Sequence, residues 1–233
     1  IEAAHSRSLG NERAARAIEA AQIRKEDLAE GTAMDGLPVP QLVRCLKAQI
    51  APELHVDIHR GLTSQDVMDT ALVLSLKDIL PIFRQGLIAL QADLAQLTQA
   101  HGGAALMGRT RMQAALPITV ADRLATWRMP LERHLARLDE VCARVLCVQC
   151  GGPVGLGAGG AALAAQLGLA APDKSWHVMR DGFAELANWL SLVSGSLGKM
   201  GMDISLMTQQ GVDEMRLRAG GSSSAMSHKQ NPI

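Results

Sequence analysis

The stretch DVMDTALVLSLKDILPIFRQGLIALQADLAQLTQAH, residues 66–101, decides the fold. In it Val67, Thr70, Ala71, Leu74, Ile79, Ile82, Leu87, Leu90, Leu94 and Leu97 recur at spacings of three and four. That spacing predicts one long helix with a broad apolar stripe. Pro81 lies inside it and predicts a kink or break. A helix of roughly 35 residues is about 50 Å long. A compact globule of this chain length has a radius of gyration of only about 17–18 Å. Such a helix overshoots a compact monomer, so its stripe needs partners, and further copies of the same chain are the simplest ones.

Working outward, residues 122–150 carry a second long helical pattern, interrupted by Pro130, and residues 174–210 a third. Residues 1–58 read as shorter helical pieces, broken at 31–40 and at Pro52. Residues 101–117 form a connection bearing Gly and Arg, residues 151–160 are glycine-rich, and residues 219–233 form a Gly/Ser loop with a polar, basic end. Alanine and leucine dominate and β-branched runs are scarce, which is helical composition. The expected fold class is all-α, a long-helix bundle completed by oligomerisation.

The 233 residues correspond to one or two domains. Hydrophobic residues make up 48% and charged residues 20%, enough for a core and incompatible with disorder. Twenty-three basic and 23 acidic side chains leave a formal net charge of zero, which argues against a nucleic-acid partner. Aromatics are 2% and tyrosine is absent, so no stacking platform for single strands is expected. No run reaches the roughly 18 apolar residues of a membrane span. The first residues, Ile-Glu-Ala-Ala-His, do not read as a signal peptide. Cys45, Cys142, Cys147 and Cys150 do not make a disulfide framework, which suggests a reduced, cytoplasmic setting.

Three patches carry chemistry. The first is His59-Arg60-Gly61-Leu62-Thr63-Ser64-Gln65-Asp66. Thr63 and Asp66 have capping-box spacing, and a helix N-terminus with free N–H groups and hydroxyls also binds carboxylates. His59, a turn earlier, adds a proton or a hydrogen bond. The second is Gly108-Arg109-Thr110-Arg111-Met112-Gln113, where two arginines and an amide suit an anion, unless the segment is simply a solvated loop. The third runs Gly220-Gly221-Ser222-Ser223-Ser224-Ala225-Met226-Ser227-His228-Lys229-Gln230-Asn231-Pro232. It is either a flexible linker or a loop in which a serine near a lysine moves a proton.

Other motifs are better read as structure. Cys147-Val-Gln-Cys150 ends a helical pattern, with no second pair for zinc, and reads as buried thiols. Gly155-Leu-Gly157-Ala-Gly159-Gly160 matches a dinucleotide fingerprint but lacks the preceding strand. His55, Asp57 and His59 alternate as metal ligands would, without a fourth.

Taken in order, Thr63-Ser64-Gln65-Asp66, Gly108-Arg109-Thr110 and the segment Ser223–Pro232 resemble the fumarase/aspartase superfamily. The third is similar to that family's signature loop, Gly-Ser-Ser-x-Met-Pro-x-Lys-x-Asn-Pro. Within the family the likeness is greatest to the cycloisomerase branch, intramolecular lyases that close a conjugated tricarboxylate to a lactone. It rests on His59-x-Gly61-x-Thr63-Ser64-Gln65-Asp66-x-x-Asp69-Thr70, on Gly108-Arg109-Thr110-x-x-Gln113-x-Ala115-Leu116-Pro117 and on Trp176-His177-x-x-Arg180-Asp181. Arg111 stands where most lyases of the family carry a catalytic histidine. Ser222 replaces the glycine before the serine pair, and Ser227 the proline after the methionine.

The resemblance implies an L-aspartase-type bundle, a homotetramer whose active sites combine patches from three subunits, a small tricarboxylate substrate, and no metal or organic cofactor. It implies proton transfer by Ser223, a charge-bearing carboxylate held by Lys229 and Asn231, and assistance from His59. The remaining substrate contacts would come from Thr63, Ser64, Arg109, Thr110, Arg111, Gln113, Ser224 and Met226. The expected domains are an N-terminal helical part, 1–60, and a central bundle, 61–233, with the family's C-terminal domain absent from this chain. Another lyase activity, such as adenylosuccinate cleavage, and a catalytically silent helical scaffold remain as alternatives.

Overall fold

A computed structural model describes residues 1–157, 160–218 and 221–231. Gly159 of the glycine-rich match, and Gly220 and Pro232 of the third patch, lie outside the described residues. The chain divides into two compact units, Ile1–Ile82 with Glu140–Leu186, and Phe83–Asp139 with Ala187–Ile233.

The first unit begins with four short helices, α1 (Glu2–Ser8), α2 (Glu12–Ala20), α3 (Lys25–Asp35) and α4 (Val39–Gln49), followed by a 3-10 turn at Pro52–Asp57. Glycine and proline set their ends. Gly36 takes a left-handed conformation (φ 74°) after α3, and Pro38 and Pro40 open α4. Gly31 is not a break, contrary to expectation. It lies inside α3, where the side chain of Gln41 packs so closely that a Cβ would collide with it. Ile18, Leu46, Ile50 and Ile58 form one buried cluster, and Val39, Leu62 and Val67 another. Burying each such side chain contributes about 1.5–3 kcal/mol.

Three long helices follow the three periodic stretches: α5 (Ser64–His101), α6 (Val120–Val145) and, after the short α7 (Ala161–Leu167), α8 (Asp181–Met207). Pro81 and Pro130 end neither helix. Each removes one N–H from the i to i−4 ladder, a loss that a long, packed helix absorbs. On α6 the buried positions are Leu124, Trp127, Leu131, His134, Leu138, Val141 and Val145, alternating by three and four. On α5 the buried register is narrower than the sequence stripe. Val73, Leu80, Leu87 and Leu94 are buried at sevenfold spacing, while Ile79, Ile82 and Leu97 are exposed.

The second stretch ends five residues early because the backbone after Val145 pairs elsewhere. Ala170 donates to the Leu146 carbonyl and Val148 donates to that of Ala170, both at 2.9 Å. The third starts late, at Asp181, because residues 175–180 are held by side chains of α5 and by Gln149. Within the second unit, Trp127 Nε1 donates to Asp203 at 2.7 Å and Trp189 Nε1 to the His134 carbonyl at 2.8 Å, tying α6 to α8.

Residues 101–117 are not merely a connection. They hold an antiparallel hairpin, β1 (Ala105–Thr110) and β2 (Gln113–Thr119). The register shifts between Met107 and Arg109, where a Cβ on Gly108 would lie 2.7 Å from the Leu116 carbonyl oxygen. A two-residue ladder, β3 (Gly221–Ser222) on β4 (Gln230–Asn231), closes the third patch into a loop. No helix among the described residues is long and apolar enough to cross a membrane.

Candidate active site

The first patch belongs to the first unit and sits at the N-terminus of α5. Asp66 is 1% exposed, and its carboxylate accepts four donors: the N–H groups of Thr63, Gly151 and Gly152, and Nε2–H of His177. The bond from Thr63 N, at 2.9 Å, is the backbone half of the capping box. Asp66 is therefore a buried, satisfied anion that fixes the helix start, the glycine turn and His177 together. Gly152 is required there, since it has φ 67° and a Cβ would sit 2.8 Å from the Gly61 carbonyl oxygen. The hydroxyls of Thr63 and Ser64 make no hydrogen bond within the chain among the described residues. Partly buried at a helix N-terminus, they are free to meet a carboxylate.

His59 has φ 58°, unusual for a residue with a Cβ. Buried Glu2 holds it there, taking its backbone N–H at 3.0 Å and its Nδ1 at 2.7 Å. His55 bonds the Ile50 carbonyl, and Asp57 accepts from Asn11 and Arg60. These three alternating residues therefore look to separate partners and do not converge.

One turn into α5, Asp69 pairs with both Arg180 guanidinium nitrogens, at 2.7 and 3.1 Å. That guanidinium lies over the rings of Trp176 and Phe183 at 5.2 and 5.1 Å. Thr70 exchanges hydrogen bonds with the backbone of Gln149, and the Gln149 amide oxygen accepts the Trp176 N–H. Cys147 and Cys150 are half-buried rather than fully buried. Burial pushes both thiols up, aided at Cys150 by the Asp66 charge, which makes them poor nucleophiles.

The sequence marks Asp66 as half of a capping box only and assigns His177 no role of its own. Donation to Asp66 places a proton on Nε2 of His177. The motif Trp176-His177-x-x-Arg180 was the available signal, but its partners lie 111 residues away.

The second and third patches belong to the second unit. Arg109 extends from β1 and pairs with Glu214. Arg111 and Met112 make the two-residue turn of the hairpin, with φ of 51° and 65°. Such turns favour Asn-Gly, so a pair of bulky residues there is strained. Arg111 is thereby presented at an exposed tip. The side chains of Thr110, Arg111 and Gln113 make no hydrogen bond or ion pair among the described residues.

In the third patch, Ser223 Oγ accepts the backbone N–H groups of Ala225 and Met226, at 3.3 and 3.1 Å. Two N–H groups aimed at one hydroxyl oxygen stabilise negative charge on it and leave its proton free to be donated. Ser224, Met226 and Lys229 are exposed beside it, while Asn231 is partly buried in β4. The segment is closed at its neck rather than an open linker.

The chain belongs to the lyase family, whose match spans residues 12–233. The chain is 43% identical over 220 residues to the 3-carboxy-cis,cis-muconate cycloisomerase of Pseudomonas aeruginosa, covering 88% of this chain and 48% of that protein. It is 38% identical to the 3-carboxy-cis,cis-muconate lactonizing enzyme of Pseudomonas putida, whose crystal structure superposes with a TM-score of 0.87 over 99% of this chain and 56% of that one. A fumarate lyase from Mesorhizobium sp. BNC1 is also 38% identical and has a TM-score of 0.84, over 91% of this chain and 54% of that one. The fold is that long-helix bundle of the fumarase/aspartase superfamily. The chain spans about half the length of the curated relatives it matches.

Proposed function

We propose that this chain serves a cycloisomerase that converts 3-carboxy-cis,cis-muconate to 4-carboxymuconolactone in the breakdown of aromatic compounds. What carries the reading is its likeness over 88% of its length to the Pseudomonas aeruginosa cycloisomerase. Arg111 in place of a histidine supports it, since an arginine does not act as a general base at neutral pH.

In this reaction a carboxylate oxygen adds across a conjugated double bond and the neighbouring carbon takes a proton. Charge builds on the adjoining carboxylate as an aci-carboxylate intermediate, and donors aimed at it supply the stabilisation. Ser223, with two N–H groups on its oxygen, is the proton donor in lactonisation and the base in reverse. Lys229 and Asn231 hold the carboxylate that gains charge. The free hydroxyls of Thr63 and Ser64, with Arg109 and Thr110, bind the others. Gln113, Ser224, Met226 and Arg111 complete the pocket, and His59, fixed by Glu2, assists. The enzyme would have an N-terminal part at 1–60, a central bundle at 61–233, a cytoplasmic setting, and a homotetrameric assembly whose sites combine patches from three subunits. Exposed apolar side chains such as Ile82, Met202 and Ile88 on the long helices support that assembly.

The test is the ultraviolet absorbance of 3-carboxy-cis,cis-muconate mixed with the protein. Ring closure destroys the conjugated diene, so a fast protein-dependent fall is expected. No fall, from a preparation shown to be folded and tetrameric, rejects the reading and moves weight to other lyase activities.

A further inference from the structure

A cavity of about 490 Å³ in the second unit is lined by Arg109, Arg123, Asp203 and Glu214, with Met207 and Val212 among its apolar walls. Two arginines thus face one space, each with a carboxylate opposite it. The two pairs differ in how firmly the carboxylate is held.

Asp203 accepts from Trp127 Nε1 at 2.7 Å and from Lys199, and lies 3.7 Å from Arg123. Burial opposes its ionisation, but these donors outweigh burial and hold its carboxyl below the ordinary carboxylate value. It is locked in place by groups other than Arg123. Arg123 in turn is undersubscribed: among the described residues its buried Nε has no hydrogen-bond partner and its one ion pair is long.

Glu214 is the reverse case. Its carboxylate has Arg109 as its one side-chain partner among the described residues, and its backbone N–H goes to the Met207 carbonyl at 3.0 Å. It sits one residue after Asp213, whose φ of 49° strains the turn that presents it. Releasing the Glu214 carboxylate therefore gives up one pair, that with Arg109, whereas Asp203 cannot move without orphaning the Trp127 N–H.

We propose that Glu214 is an internal stand-in for a substrate carboxylate: it occupies Arg109 in the empty site, and a polycarboxylate with an apolar body enters the cavity by displacing it, with Arg123 taking a second carboxylate. Glu214 then sets affinity without touching the reacting atoms. The inference rests on reading Arg109 as a carboxylate-binding residue, but not on which reaction follows.

The experiment is calorimetric titration of the protein with tricarballylate, a tricarboxylate that has no diene and cannot cyclise, at fixed pH and ionic strength. Glu214→Gln is expected to bind roughly tenfold more tightly than the unmodified protein, the effect of uncovering one charge-assisted pair. Arg109→Gln is expected to bind at least about tenfold more weakly. The double variant Arg109→Gln with Glu214→Gln is expected to be no tighter than Arg109→Gln alone. Unchanged, weaker or unmeasurable binding by a folded Glu214→Gln variant overturns the proposal, because Glu214 would then be a support for Arg109. So does a double variant that keeps the full gain, since the effect would be one of net charge. Failure of the muconate assay with these binding changes intact would reject the reaction and leave the stand-in role standing.

Discussion

Asp66 Oδ1 accepts the Nε2–H of His177 at 2.8 Å, joining two residues 111 positions apart. The same carboxylate takes N–H groups from the start of α5 and from the turn at 151–152. One buried charge thus holds the three segments that place Thr63 and Ser64 at the helix N-terminus.

Replacing Asp66 by Asn puts an amide nitrogen, itself a donor, among four donors. We expect a loss of about 3 kcal/mol, and a melting temperature lower by roughly 6–12 °C. Circular-dichroism melting checks this. A variant that melts within about 2 °C of the parent would show that the cluster is not a keystone.

Ser223→Ala removes the hydroxyl that the Ala225 and Met226 N–H groups polarise. Turnover of the muconate is expected to fall by about a hundredfold or more, with KM changed only a few-fold. Steady-state kinetics decide, and near-normal kcat would remove Ser223 from proton transfer.

Lys229→Met keeps the length of an exposed side chain and deletes its charge. Both KM and kcat are expected to worsen, because the carboxylate it binds is also the one that gains charge. Unchanged constants would place Lys229 outside the site.

His134 is buried on α6, with Nε2 at 2.8 Å from Ser196 Oγ and, among the described residues, no partner for Nδ1. Burial, with the charges of Arg137 and Arg133, holds its imidazole below its ordinary value of 6.5. The unfolded chain therefore takes up this proton first, so stability contributed by neutral His134 is present above about pH 6.5 and is lost as pH falls below it. Denaturant titrations between about pH 5 and 8 should show that decline, and His134→Gln should flatten it. A decline of equal slope in the variant would assign the effect to other groups.

The helical fold was legible because its signal is local. A spacing of three and four over some thirty residues has one regular solution, and α5, α6 and α8 appear close to where that spacing puts them. The ends were less legible. Thr119 and Asp122 cap α6 with a local pattern, but its C-terminus follows from Ala170 pairing with Leu146 and Val148. The hairpin was missed for a different reason. Its strands are alanine- and leucine-bearing and largely exposed, and Arg111-Met112 lacks the Asn-Gly signature of a tight turn.

By itself the sequence determined a long-helix bundle, three ordered patches of donors and a lyase family, since periodicity and motif spacing are properties of neighbours along the chain. Only the tertiary structure decided that Asp66 gathers four donors, that Gln149 anchors Trp176, and that Glu214 faces Arg109 across 105 residues. A buried charge takes whichever donors the packed chain brings within about 3 Å. That choice is settled by the whole fold and leaves no periodic trace in the sequence.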